Sequence, residues 1–224
     1  MLSNGWFGSS RPTYWAFDES PYTRDVDNIY GSPPVDETRF QCLTKFTDMP
    51  PDTFETDRLL LRPVTITDID AIFEGYAQDG EVTRYLIWRP HRSRSEARAY
   101  VERCIATPSE VERTYMIVGR DDNVVRGAFA LRQRALHRLD CGYVLARPWW
   151  RKGLMTEVLI EVSAWALRQP SVFRIGAVCD VENTGSARVL EKSGFVREGL
   201  LRRWLLHPNI SDEPRDCYSY ARVR

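Results

Sequence analysis

Two apolar spacings alternate along the chain from Thr53 onward. Arg58 to Val64 (RLLLRPV) is a short, nearly unbroken apolar run of strand length. Ile69, Ile72, Phe73 and Tyr76 then recur at i, i+3, i+4 and i+7, one face of a helix that Thr67 is placed to cap. A loop through Trp88, Arg89, Pro90, His91, Arg92 and Arg94 leads to a second helix, capped near Ser93 or Ser95, with Ala97, Tyr100, Val101 and Cys104 on one side. Three strands follow, Thr114 to Gly119, Val124 to Arg132 and Leu139 to Ala146. The Asp121-Asp122-Asn123 turn makes a hairpin of the first two.

A third helix begins after Gly153, lines up Leu154, Val158, Val162, Trp165 and Ala166, and stops before Pro170. Phe173 to Cys179 reads as a strand. VENTGSARVLEKSGF reads as a short helix with Gly194 at its C-cap, and Leu200 to Leu206 and Cys217 to Val223 are the last strands. The order β-α-α-β-β-β-α-β-α-β-β predicts an α+β or α/β sandwich, one mixed sheet with helices on both faces.

Residues 1–52 break this pattern. They hold six prolines, lean acidic and show neither period, yet carry Trp6, Phe7, Tyr14, Trp15, Phe17, Tyr22, Tyr30, Phe40 and Phe46. Disordered tails are poor in aromatics, so the expectation is an irregular arm laid on the domain or on a second subunit of a homodimer, followed by a domain at 53–224. The alternative is a start at Met49, just before the regular pattern begins.

Composition narrows the function classes. With 31 basic and 31 acidic residues the net charge is zero, which argues against a general nucleic-acid or membrane-surface role. The five cysteines are scattered without a C-x-x-C pair, and His91, His137 and His207 lie far apart, so neither a metal site nor a disulfide framework is indicated. The N-terminus lacks a basic segment followed by an apolar run, and no apolar stretch reaches membrane-spanning length. A cytoplasmic protein is expected.

The chemistry concentrates in GYVLARPWWRKGLMTE, residues 142–157. A strand runs there into a turn and then a helix, whose first N–H groups have no intrahelical partner and suit an anion. Arg147, Arg151 and Lys152 add positive charge, and Gly153 removes a side chain where a ligand would press on the backbone. Neither G-x-x-x-x-G-K-[ST] nor G-x-G-x-x-G is present, which leaves a nucleotide-like ligand bound in some other way.

Three blocks carry a family resemblance: TFETDRLLLRPVTITDIDAIFEGYAQDGEVTRYL, GYVLARPWWRKGLMTEVL and NTGSARVLEKSGF. Together, over about residues 53–224, they resemble the GNAT superfamily of acetyl-CoA-dependent N-acetyltransferases, and more narrowly the RimJ and RimL ribosomal-protein N-acetyltransferases. The resemblance implies a mixed, mostly antiparallel central sheet and acetyl-CoA as the acetyl donor. Its pyrophosphate turn, Gln/Arg-x-x-Gly-x-Gly/Ala, falls on Trp150 to Met155, with Arg151 where glycine is common and Met155 where a small residue is common. By the same resemblance the coenzyme is held by Val144, Leu145, Arg151, Lys152, Gly153, Leu154, Met155, Thr156, Asn183 and Ser186. For Asn183 the plainer alternative is a helix N-cap.

The resemblance also implies roles in the transfer. Only a neutral amine attacks, and an α-amino group (pKa ~8) is easier to deprotonate than a lysine (pKa ~10.4). Asp140, two residues before Gly142, stands where related sequences place a glutamate, and is the first candidate base. Ser186 matches a position that can protonate the departing thiolate, and Tyr218, in the pattern Arg215-Asp216-x-Tyr218, is a second candidate acid, for which the plainer alternative is a core or wall tyrosine. A free N–H near Val144 would support the thioester oxygen. Trp88, Arg89, His91 and Tyr143 would line the acceptor site. The acceptor is a protein N-terminal amine or a small amine. The competing reading is an idle module that binds acyl-CoA as a sensor, suggested by Arg151 and Met155.

Overall fold

The computed structural model describes residues 49–224. The arm expected over residues 1–52 lies, as far as Asp48, outside the described residues. Its last residues already belong to the domain: Arg113 donates to the Pro50 carbonyl (2.7 Å) and the Tyr115 hydroxyl to that of Pro51 (2.7 Å).

Eight strands form one sheet: β1 (Phe54–Glu55), β2 (Leu59–Pro63), β3 (Glu112–Gly119), β4 (Val125–Ala135), β5 (Arg138–Leu145), β6 (Arg174–Asp180), β7 (Val196–Leu205) and β8 (Arg215–Val223). Their spatial order is β1-β2-β3-β4-β5-β6-β8-β7, and every neighbouring pair is antiparallel except β5 with β6. β3 reads apolar without alternation because it is covered on both sides, with Thr114 to Gly119 all buried.

Among the described residues, five α-helices pack on this sheet: α1 (Ile69–Ile72), α2 (Gly80–Thr83), α3 (Arg94–Ala106), α4 (Leu154–Arg168) and α5 (Thr184–Lys192). The first predicted helix begins earlier than expected. A 3-10 turn at Ile66–Asp68 is capped at Thr65, not Thr67, because the Asp68 carboxylate accepts from the Thr65 N–H (2.8 Å) and is held by Arg62 (2.6 Å). α1 then runs on as a π-turn through Phe73–Ala77. Ser93 caps α3, and Gly194, in the left-handed conformation at φ 82°, follows α5.

The two faces bury separate cores. Leu139, Cys141, Ile175, Ala177, Cys179 and Tyr220 point to the face covered by α4 and α5. Met116, Val118, Ala128 and Ala146 point to the face covered by α1–α3, against Ile72, Phe73, Tyr76 and Val101. Among the described residues, no helix is long and apolar enough to cross a membrane, and no cluster of three metal-ligating side chains occurs.

Candidate active site

β5 and β6 run parallel and pair over only three residues, Arg138, Leu139 and Asp140 against Arg174, Ile175 and Gly176. Beyond that point they diverge, and the β6-facing edge of β5 has no strand opposite it. The β4 partnership determines which groups stand on that open edge. Ala146 N–H bonds the Arg126 carbonyl (2.8 Å), and the register is unbroken from Gly127–Leu145 to Gln133–Leu139. Antiparallel alternation therefore commits the main-chain groups of Gly142 and Val144 to β4 and turns those of Cys141, Tyr143 and Leu145 into the gap. The N–H groups open to a ligand are thus those one residue either side of Val144.

At the end of β5 the chain turns through Arg147–Trp149 into α4. Trp150 Nε1–H donates to the Leu145 carbonyl (2.7 Å), and Trp149 lies between Arg126 and Lys152, 4.2 and 4.6 Å from its ring centre. Arg151 and Gly153 both have positive φ, 61° and 75°. Gly153 is the N-cap of α4 and offers no side chain to the first N–H groups, so those groups point outward unspent. Arg151 and Lys152 are exposed and make no ion pair among the described residues. Glu157 would oppose an anion there, but Arg58 neutralises it, its N–H (3.0 Å) and Nε (2.7 Å) donating to the carboxylate while Nη1 holds the Lys152 carbonyl (3.0 Å). The turn therefore fits a pyrophosphate.

The two departures from the family pattern are both accommodated. Arg151 adopts the left-handed backbone that glycine takes most easily, and Met155 turns inward, 4% exposed in the α4/α5 core. Leu154 is buried beside it, Thr156 is half-buried, and Val144 and Leu145 pack on opposite faces of β5.

Across the gap, Asn183 Oδ1 accepts from Ser186 N–H (3.1 Å), making Asn183 the N-cap of α5. Ser186 Oγ meets the Tyr143 hydroxyl at 2.8 Å, so β5 and α5 join beneath the gap. Burial raises the Tyr143 phenol well above its ordinary pKa, although the Ser186 hydrogen bond opposes this. Asp140 sits at the last paired position, its carboxylate 2.9 Å from Arg134 Nε. Gly176 opposite leaves it room, since a Cβ there would come within 3.2 Å of Asp140 Oδ1. Tyr218 packs against the α4/α5 core with Arg197 4.6 Å over its ring.

The expected acceptor residues separate. Trp88 and His91 stack at 5.0 Å on the flank of the α1–α3 core, Arg89 is exposed 3.8 Å from Asp212, and Tyr143 is on the opposite face of the sheet. Arg58 enters the site through a contact with a distant part of the chain, the Lys152 carbonyl, and no local sequence signal marks that role.

The sequence profile of the acetyltransferase (GNAT) domain matches residues 58–196. The uncharacterized N-acetyltransferase YoaA of Bacillus subtilis is 33% identical over 174 residues, 76% of this chain and 97% of that protein. The [ribosomal protein uS5]-alanine N-acetyltransferase of Escherichia coli is 33% identical over 95 residues, 42% of this chain and 45% of that protein. A GNAT-family acetyltransferase from Bacillus anthracis superposes with a TM-score of 0.68 at 26% identity, covering 76% of this chain and 98% of its own. RimL, a ribosomal L7/L12 α-N-protein acetyltransferase solved with coenzyme A, shares the fold at a TM-score of 0.66 and 20% identity, over 76% of this chain and 97% of its own.

Proposed function

Because the chain belongs to the GNAT acetyltransferase family and is an acetyl-CoA-dependent N-acetyltransferase, we propose that it acetylates the α-amino group of a protein or peptide. The observation that carries this reading is the divergence of β5 from β6 beyond Asp140 and Gly176, beside the uncapped start of α4. α4 and α5 close one face beneath the gap, so the amine enters from the other, between the 83–91 and 206–214 segments. The Escherichia coli relative, named for a ribosomal-protein alanine, supports an α-amine over a small-molecule acceptor.

Acetyl-CoA supplies an activated acetyl thioester. The first turn of α4 with Arg151, Lys152 and Gly153 holds its pyrophosphate, and the open edge of β5 with Asn183 and Ser186 faces its pantetheine arm. The N–H of Tyr143 or Leu145 donates to the thioester oxygen as charge grows there. The amine nitrogen bonds to the acetyl carbon as the C–S bond breaks. Asp140 would accept the amine proton through water and release it to solvent, while Ser186 Oγ–H would pass a proton to the thiolate and regain one from solvent. Tyr218, packed beneath Arg197, serves as a wall.

The idle-sensor alternative drew on Arg151 and Met155, and neither obstructs the turn. Thiol release with acetyl-CoA, screened over peptides and small amines, tests the proposal. Peptides with free N-termini are expected to turn over, whereas activity confined to small amines would overturn the acceptor assignment.

A further inference from the structure

Residues 83–91, residues 181–183 leading into α5, and residues 206–214 between β7 and β8 meet beyond the C-terminal end of β6. The Tyr85 hydroxyl donates to the Glu182 carbonyl at 3.4 Å. The 206–214 segment is tied firmly to the sheet. Its turn is closed by Ile210 N–H on the His207 carbonyl (2.9 Å), with Pro208 and Asn209 in the two central positions. His207 is buried beside Asp180 (3.8 Å) and Cys217 (3.9 Å), and Arg215 at the far end holds Asp180 at 2.6 and 3.2 Å.

The 84–92 segment is different. It forms no helix or strand, and its main chain is fixed by scattered bonds such as Leu86 N–H to the Thr83 carbonyl and His91 N–H to that of Ala77. Asn209 joins it to the rigid turn. The Asn209 amide nitrogen donates to the Thr83 carbonyl (2.7 Å) and to the Trp88 carbonyl (2.8 Å). Both amide hydrogens are used, each on a main-chain oxygen. A carboxylate of the same shape would set lone pairs against two carbonyls, and a hydroxyl has one hydrogen for two acceptors. The residue after Trp88 is Arg89, an exposed cation on this rim, whose guanidinium leans toward Asp212 of the same turn segment.

We propose that Asn209 is a specificity-determining positioning residue. Its amide fixes the spacing of the two walls between which the acceptor enters, and with it the placement of Arg89, and so selects which peptide N-terminus fits. The proposal rests on the reading that the acceptor enters between these segments.

The test compares the full chain with Asn209→Ala, Asn209→Asp and Asn209→Gln, using acetyl-CoA and alanine-initiated peptides with Glu or Lys as second residue. Two lost hydrogen bonds should raise the peptide KM by about tenfold in the Ala and Asp variants, while the acetyl-CoA KM stays within about twofold. The preference between Glu and Lys peptides should shrink, and Gln, which keeps the amide, should recover part of both effects. Amide exchange should quicken at 84–91 but not in α4. An unchanged peptide KM and preference would overturn the proposal, as would parallel rises in both KM values. If the wild type binds acetyl-CoA but turns over no peptide, the peptide-acceptor reading fails by itself. Amide exchange then judges the bridge, and unchanged exchange at 84–91 in Asn209→Ala overturns it.

Discussion

Tyr143 and Ser186, 43 residues apart, meet beneath the gap between β5 and β6 with their hydroxyl oxygens 2.8 Å apart. Burial raises the Tyr143 phenol, so it stays protonated across the working range and can serve as a fixed donor to Ser186 Oγ. The Ser186 hydrogen can then turn toward the Cys179 sulfur or toward the departing one. Tyr143→Phe should lower kcat roughly fivefold to tenfold, the worth of one hydrogen bond, and leave the acetyl-CoA KM unchanged. Ser186→Ala should cost more, and the double variant no more than Ser186→Ala alone. Steady-state kinetics on the four proteins measures the coupling, and additive losses would show that the two hydroxyls act separately.

Arg151 carries a side chain at φ 61°, which costs a non-glycine residue about 1–2 kcal/mol. Arg151→Gly should relieve that strain and raise the melting temperature by a few degrees, partly offset by the freedom glycine gains in the unfolded chain. It should also weaken acetyl-CoA binding several-fold, because one cation leaves the pyrophosphate turn. Arg151→Ala should lose the affinity without gaining the stability, and Arg151→Glu should bind more weakly than either. Calorimetric titration with acetyl-CoA, alongside thermal unfolding, separates the two effects.

Asp140 lies where β5 and β6 part, with Gly176 leaving space for its carboxylate. If it is the base, Asp140→Asn should lower kcat/KM for the peptide about a hundredfold, the usual scale of general-base assistance. Gly176→Ala should produce a smaller loss by crowding Asp140 Oδ1. A rate unchanged in Asp140→Asn, measured by steady-state kinetics, would assign the proton transfer to solvent.

What could be read in the sequence, and what could not, divides by range. The strand, turn and helix proposed to bind the anion were legible because they are contiguous: strand, Arg151, Lys152, Gly153 and helix follow one another within a dozen residues. The helices were legible wherever the apolar period is clean, as in α4. Local turn chemistry was harder: the first helix is capped at Thr65 because Arg62 and Asp68 recruit that residue, a choice periodicity does not reveal. The gap-facing N–H groups are those of Tyr143 and Leu145 because the β4 register spends Val144, and register is a property of two strands. Arg58 reaches a turn 94 residues away and Asn209 a segment 126 residues away, so neither announces its role locally.

His207 predicts how the domain responds to acid. It is 3% exposed and 3.8 Å from Asp180. Burial lowers its pKa, and the Asp180 charge only partly opposes this. The unfolded chain therefore binds a proton that the folded chain resists. The stability His207 contributes is present above its unfolded pKa, ~6.5, and is lost as the pH falls through its depressed folded value. Asp180 adds a second step. Burial pushes its carboxyl up, but the Arg215 guanidinium, the Glu182 N–H and the His207 ring together outweigh this and leave it below the usual range, so its share is lost only below about pH 4. Melting temperature should thus decline between pH 7 and 5 in the wild type and decline less in His207→Gln, which should also melt lower at pH 7 through lost packing. His91, likewise depressed by burial, supplies the slope that remains. Calorimetry across pH checks this, and an equal slope in both proteins would remove His207 as a source of acid lability.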